Sequence, residues 1–192
     1  MGKGRLEAFT DAIIPIIMTV IVLELEMPRE LSWLGLWEIK QQLISYTISF
    51  FLLAIVWGNH HHMFQIVEKI NGGVIWANTL LLFFLSFIPY TTKIVDIDPA
   101  NHFSEQLYTL VFIGVNIAWN LLRISLIKAD PDNTAIQETL VHDRKSWLTL
   151  IAFFVVFLLS FVWSQIGMLG TLLVMVMWII PYKKIEIMLK GD

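Results

Sequence analysis

Apolar residues run along this chain in long uncharged blocks, not in the short alternations of a soluble fold. About 20 apolar residues cross a bilayer as a helix, so the blocks predict six membrane spans. The first four run from about Phe9 to Leu25, from Gln41 to about His62, from about Val74 to Thr92 and from about Gln106 to Leu126. The stretch Ser146–Tyr182 carries no charge and is too long for one helix, and Gly167 and Gly170 near its middle predict a tight turn between a fifth and a sixth span. No connection is large enough to form a separate domain and the first block is not repeated. Residues 1–192 therefore read as a single all-α, six-helix transmembrane domain.

Composition supports the same class. Hydrophobic residues make up 57% of the chain, charged residues only 15%, and the mean hydropathy is +0.70; soluble domains carry roughly 45–50% apolar and about 25% charged residues. A net charge of -3 with no dense basic run argues against nucleic acid. The absence of cysteine excludes disulfides, zinc-thiolate sites and cysteine nucleophiles. Lys3 and Arg5 precede an apolar run as in a signal peptide. Glu7 and Asp11 interrupt that basic region, however, and the run ends Leu23-Glu24-Leu25-Glu26 without a small-residue cleavage site. Leu6 stands where a myristoylation signal needs Ser or Thr.

Lysine and arginine are distributed unevenly between the two sides that six spans define. The side holding both termini has Lys3, Arg5, Lys69, Arg123, Lys128, Arg144, Lys145, Lys183, Lys184 and Lys190, against Arg29, Lys40 and Lys93 on the other. This bias predicts cytoplasmic N- and C-termini. The opposite side is acidic, with Glu24, Glu26, Glu30 and Glu38 after the first span and Asp96, Asp98 and Glu105 after the third. Trp147, Trp163 and Trp178 fall near predicted span ends, where an aromatic belt is expected.

The first span differs from the others. Asp11 opens a segment, Ala12 to Leu23, that is otherwise uncharged, and a carboxylate there is costly unless it is used or paired. Pro15 removes a backbone hydrogen bond and invites a kink. At about 100° per residue, Phe9, Ala12, Ile16, Thr19, Leu23 and Met27 share one face with Val20 at its edge, and Asp11 points away from it. Such a stripe serves either as a helix-packing surface or as the lining of a pore.

The run Arg5-x-x-x-Phe9-Thr10-Asp11 at the head of the first of six helices resembles the R-x-x-x-F-S-D signature of the endolysosomal transmembrane potassium channel family, in its single-repeat prokaryotic form. Tyr46, Ser49, Phe50, Trp57 and the histidines near His60 in the second helix, and Asn78, Leu81, Pro89, Thr91 and Thr92 in the third, extend the likeness. Thr10 replaces the usual Ser and keeps the hydroxyl. The resemblance implies a potassium-preferring cation channel in a prokaryotic plasma membrane, assembled as a homotetramer in which the first helix of each subunit lines the pore. It further implies an apolar constriction at Ile16, Val20 and Leu23 and a selectivity layer at Thr19. Potassium would be the permeant ion, with no cofactor. Glu24 and Glu26 at the outer end would concentrate cations or serve as solvated interfacial charges.

Arg5 and Asp11 are six positions apart and face different ways, so each needs partners elsewhere. Trp57, Asn59, His60, His61, His62 and Asn78 are the candidates for a packing network with Arg5, Phe9, Thr10 and Asp11, a reading favoured over a proton relay. Consecutive helical residues diverge by about 100°, so His60-His61-His62 are not expected to share one metal ion. Asn116, Trp119, Asn120 and Arg123 in the fourth span read as interhelical contacts or interface anchors. The alternative of a secondary transporter or a proton or cation leak pathway lacks, for transport, the internal repeat and paired broken helices of alternating access. No Ser-His-Asp, H-E-x-x-H or paired-carboxylate arrangement within the spans suggests an enzyme.

Overall fold

The computed structural model describes residues 2–141 and 143–179. These residues form α1 (Lys3–Leu23), α2 (Trp33–Glu38), α3 (Lys40–Gln65), α4 (Gly72–Ser86), α5 (Ile88–Ile97), α6 (His102–Ala129), α7 (Thr134–Ile136), α8 (Arg144–Leu159) and α9 (Ile166–Val176), with a π-helical turn at Gln137–Val141 after α7. No strand occurs among the described residues. Side chains of Asn71, Asn101, Asn133 and Asp143 accept backbone N–H groups at the starts of α4, α6, α7 and α8, meeting donors that a helix N-terminus leaves unpaired.

Four segments are long and apolar enough to cross a membrane: α1, α3, α4 with α5 (Gly72–Ile97), and α6. The first span begins earlier than its charge-free core suggests, so Arg5, Glu7 and Asp11 all lie on α1. The third is interrupted at Phe87, because Pro89 near the start of α5 has no N–H to continue the α4 ladder. The last two predicted spans correspond to α8 and α9, which have 16 and 11 residues. The end of the sixth predicted span, with Lys183, Lys184 and Lys190, lies outside the described residues.

The predicted turn at Gly167 and Gly170 is displaced. The chain turns over Ser160–Gln165, and both glycines lie inside α9. Their role is close approach. A Cβ on Gly167 would meet Glu105 Oε2 at 2.5 Å and the Glu105 carbonyl at 2.6 Å, so only a hydrogen side chain lets α9 reach the start of α6. In return Glu105 Oε2 accepts the Met168 N–H at 2.6 Å, supplying the cap that Gln165 does not.

Helix α6 is the central post, packed against α4, α5, α8 and α9, whereas α1 lies to one side on α3, α4 and α5. Gly114 on α6 leaves room for the ring of Phe84 on α4. Between α3, α5 and α6, Ser49 Oγ shares hydrogen bonds with Thr92 Oγ1 at 2.7 Å and Tyr108 Oη at 3.0 Å, joining three helices through a buried hydroxyl cluster. Trp178 departs from the aromatic-belt expectation. It is buried, donates from Nε1 to Thr149 Oγ1 at 2.9 Å and packs edge-on against Trp119. Trp147 and Trp163 are exposed.

Candidate functional site

Two faces of α1 divide cleanly. Leu6, Thr10, Ile14, Ile17 and Ile21 repeat every three or four residues and are buried against the neighbouring helices. On the other face Phe9, Ala12, Ile16, Thr19 and Leu23 are exposed; Ile16 is 59% and Leu23 80% exposed, against 0% for Ile14 and 2% for Ile21. The helix runs through Pro15 without a break. The Thr19 hydroxyl donates to the Ile16 carbonyl at 2.8 Å, which commits its proton and leaves the oxygen lone pairs as acceptors on the exposed face. Val20 is half-buried and lines a groove with Ile17, Glu24, Ser86, Pro89, Tyr90 and Lys93.

A polar network anchors the N-terminal part of the buried face. Thr10 Oγ1 donates to the Leu6 carbonyl at 3.0 Å and accepts the Asn78 side-chain amide at 2.8 Å. Asn78 Oδ1 then lies 2.8 Å from His60 Nε2, and a carbonyl oxygen only accepts, so His60 carries its proton on Nε2. Alongside, Trp57 Nε1 donates to Asp11 Oδ1 at 3.0 Å. Asp11 faces α3, away from the exposed stripe. Nearby loops are tied at the same end: Lys69 Nζ stands 3.4 Å from Asp130 Oδ1, Asn133 donates to the Ile66 carbonyl at 3.0 Å, and Arg123 donates to the carbonyls of Leu140 and Asp143 at 2.8 and 3.3 Å.

At the opposite end of α1, Lys93 Nζ donates to the Glu24 carbonyl at 2.8 Å and to Glu26 Oε1 at 3.2 Å. The Glu26 N–H donates to Gln42 Oε1 at 3.0 Å. The Glu26 charge is thus balanced by a lysine, while Glu24 is exposed.

The chain's first half, residues 5–89, matches the family model described as the endosomal/lysosomal potassium channel TMEM175. A potassium channel of Chryseobacterium sp. (strain P1-3) is 37% identical over 195 residues, covering 100% of both chains. This chain belongs to the TMEM175 family. A potassium channel of Chamaesiphon minutus is 28% identical over 183 residues, spanning 85% of this chain and 88% of that one. The fold is that of the crystal structure of a lysosomal potassium-selective channel TMEM175 homolog from Chamaesiphon minutus, with a TM-score of 0.79, 22% identity and coverage of 92% and 95% of the two chains. As a TMEM175-family chain with these apolar helices, it is a multi-pass membrane protein of an ion-channel family, not of an enzyme class.

Of the signature residues of this TMEM175-family chain, Thr10 and Asp11 have partners on α4 and α3, whereas Arg5 and Phe9 are exposed on the single chain. Asn59 leaves the predicted cluster and donates to the Trp178 carbonyl at 2.8 Å, and His62 Nδ1 lies 3.1 Å from Gln65 Oε1. Two residues matter more than the sequence pattern indicates. By charge count Lys93 is only a minority basic residue, yet its reach to Glu24 and Glu26 ties α5 to the end of α1. Glu7, one turn before Asp11, stands beside His61; its i, i+4 relation to Asp11 was the available signal.

Proposed function

We propose that this chain is the subunit of a potassium-preferring cation channel, in which four copies surround a pore lined by α1. The observation that carries this reading is the exposed α1 stripe, Phe9-Ala12-Ile16-Thr19-Leu23, on a helix whose other face is fully used in packing. A helix of this kind is held firmly by its own subunit and still presents an unpartnered apolar row with a single hydroxyl. One such row encloses nothing, so a pore requires several subunits, and closed symmetry supplies them.

Ile16 and Leu23 form two apolar rings about 10 Å apart along the axis, at about 1.5 Å per residue, and Val20 backs the wall between them. An apolar ring gates by dewetting when narrow and passes ions when wide. Thr19 lies between the rings, and four of its hydroxyl oxygens replace part of an ion's hydration shell. The network of Thr10 and Asp11, with Arg5 and Phe9 at its margin, holds the cytoplasmic end of α1. Glu24 concentrates cations at the outer mouth, with Glu26 restrained by Lys93. Given six spans in a prokaryotic plasma membrane, the Lys and Arg bias supports cytoplasmic termini.

Purified protein in a planar bilayer is expected to give unitary current steps with potassium, since only an open pore moves enough ions per second to be resolved singly. Transport of potassium without unitary steps at any voltage would instead make the protein a carrier.

A further inference from the structure

Glu7 and Asp11 lie one turn apart on α1, and Trp57 and His61 lie one turn apart on α3; the two pairs face each other. Trp57 takes one oxygen of Asp11 and stacks on His61 with ring centroids 6.2 Å apart and an interplanar angle of 22°, which fixes the imidazole plane. His61 Nδ1 stands 3.6 Å from Glu7 Oε1, too far for a hydrogen bond. That nitrogen is buried and has no hydrogen-bond partner among the described residues. One ligand atom from each of Glu7, Asp11 and His61 lies within 4.8 Å of the other two, and all three residues are half-buried.

We propose that Glu7, Asp11 and His61 form a binding site for a first-row transition-metal dication, bridging α1 to α3. Donors 3.6 Å apart suit a common ion at about 2.0–2.2 Å from each, the range of zinc–nitrogen and zinc–carboxylate bonds, and small side-chain rotations bring in the more distant atom. One imidazole and two carboxylates favour Zn2+ or Co2+ over a soft ion that needs sulfur. Water fills the remaining coordination positions.

The surroundings suit a ligating His61. Coordination through Nδ1 puts the imidazole proton on Nε2, where it needs an acceptor. Gln65 Nε2 lies 3.3 Å from His61 Nε2, and a half-turn of the Gln65 amide places its oxygen there to accept the proton. An amide so placed fixes both tautomer and ring plane. The unmetallated alternative leaves the Gln65 amide donating to His61 Nε2 and the imidazole proton on Nδ1 toward Glu7, and it predicts no metal uptake at all. This site belongs to one chain and does not depend on the channel reading.

The test is a Co2+ titration of tag-free protein in detergent, followed through the visible ligand-field absorption, with Zn2+ as competitor. The expected result is one saturable Co2+ per chain, displaced by Zn2+, with affinity reduced roughly tenfold or more in both His61→Ala and Glu7→Gln and unchanged in His102→Ala. His102 serves as control because its Nδ1 engages the Ser160 carbonyl at the far end of α8. Thermal unfolding without metal establishes that the variants are folded, and Glu7→Gln is the milder of the two. Absence of saturable Co2+ binding in the wild-type protein, or equal binding in folded Glu7→Gln, overturns the assignment.

Discussion

The side-chain amide of Asn78 donates to the hydroxyl of Thr10 across 2.8 Å, and the direction of that bond is fixed from both ends. Thr10 has already given its proton to the Leu6 carbonyl, so its oxygen must accept; Asn78 must then turn its carbonyl to His60. Three helices, α1, α3 and α4, are joined by a chain of bonds in which each donor and acceptor has one assignment.

Replacing Thr10 with Val keeps the shape and removes the acceptor. The buried Asn78 N–H is then unsatisfied, at a cost of about 1–3 kcal/mol. Thr10→Ser retains the oxygen and is expected to lose little by comparison. Thermal unfolding in detergent checks both, and equal midpoints for Thr10→Val and wild type would dismiss the network as a stabilising element.

A second prediction concerns the contact between α6 and α9. Gly167→Ala forces a methyl group against Glu105 Oε2 and its carbonyl, at separations of 2.5 and 2.6 Å before any movement. Overpacking of this kind typically costs about 1–3 kcal/mol, and displacement also weakens the Met168 cap. Gly2→Ala, with nothing near its Cβ position, is the matched control. A lowered unfolding midpoint for Gly167→Ala alone is the expected outcome.

Asp130 gives the pH dependence. Burial pushes its carboxyl up, but the hydrogen bond from Asn133 and the Lys69 ammonium outweigh this and hold it below the usual carboxylate range. A depressed native pKa means that the unfolded chain takes up the proton first as pH falls. The stabilisation is therefore present above the ordinary aspartate range, near about 3.9, and is lost progressively below it. Midpoints measured against pH should fall less steeply on the acid side for Asp130→Asn than for wild type, and parallel curves would deny Asp130 a part in acid stability.

Much of this was legible in the sequence because bilayer length and charge exclusion are coarse constraints. Four of the six predicted blocks map onto α1, α3, α4 with α5, and α6, with boundary shifts of a few residues. The glycine turn was misplaced for a physical reason: Gly167 marks a close approach to Glu105, a contact across 62 positions of sequence that no local pattern encodes. Position alone predicts an interfacial ring at Trp178, yet its N–H finds Thr149 in the interior. The division of α1 into two faces was readable by periodicity. Which face is packed was not, since both are apolar and only the buried set Leu6, Ile14, Ile17 and Ile21 identifies it.

Selectivity is expected to depend on Thr19, the one hydroxyl on the exposed stripe between Ala12 and Leu23. Thr19→Val preserves side-chain shape and removes the oxygen offered to an ion. Reversal potentials under bi-ionic potassium and sodium should move toward zero while assembly is unchanged. An unaltered reversal potential would transfer selectivity to the apolar rings or to the acidic outer mouth.

The most direct test of the pore assignment uses the absence of cysteine from the chain, which makes any introduced thiol the sole target. Single cysteines are placed at Ala12, Ile16, Thr19 and Leu23 on the exposed face and at Ile14, Ile17 and Ile21 on the packed face, and potassium current is recorded while a membrane-impermeant thiol reagent is applied. Irreversible block at Ile16→Cys, Thr19→Cys and Leu23→Cys, with current preserved at Ile14→Cys, Ile17→Cys and Ile21→Cys, is the result expected if α1 lines the pore. Block confined to the packed-face positions, or undiminished current through every exposed-face variant, would contradict it.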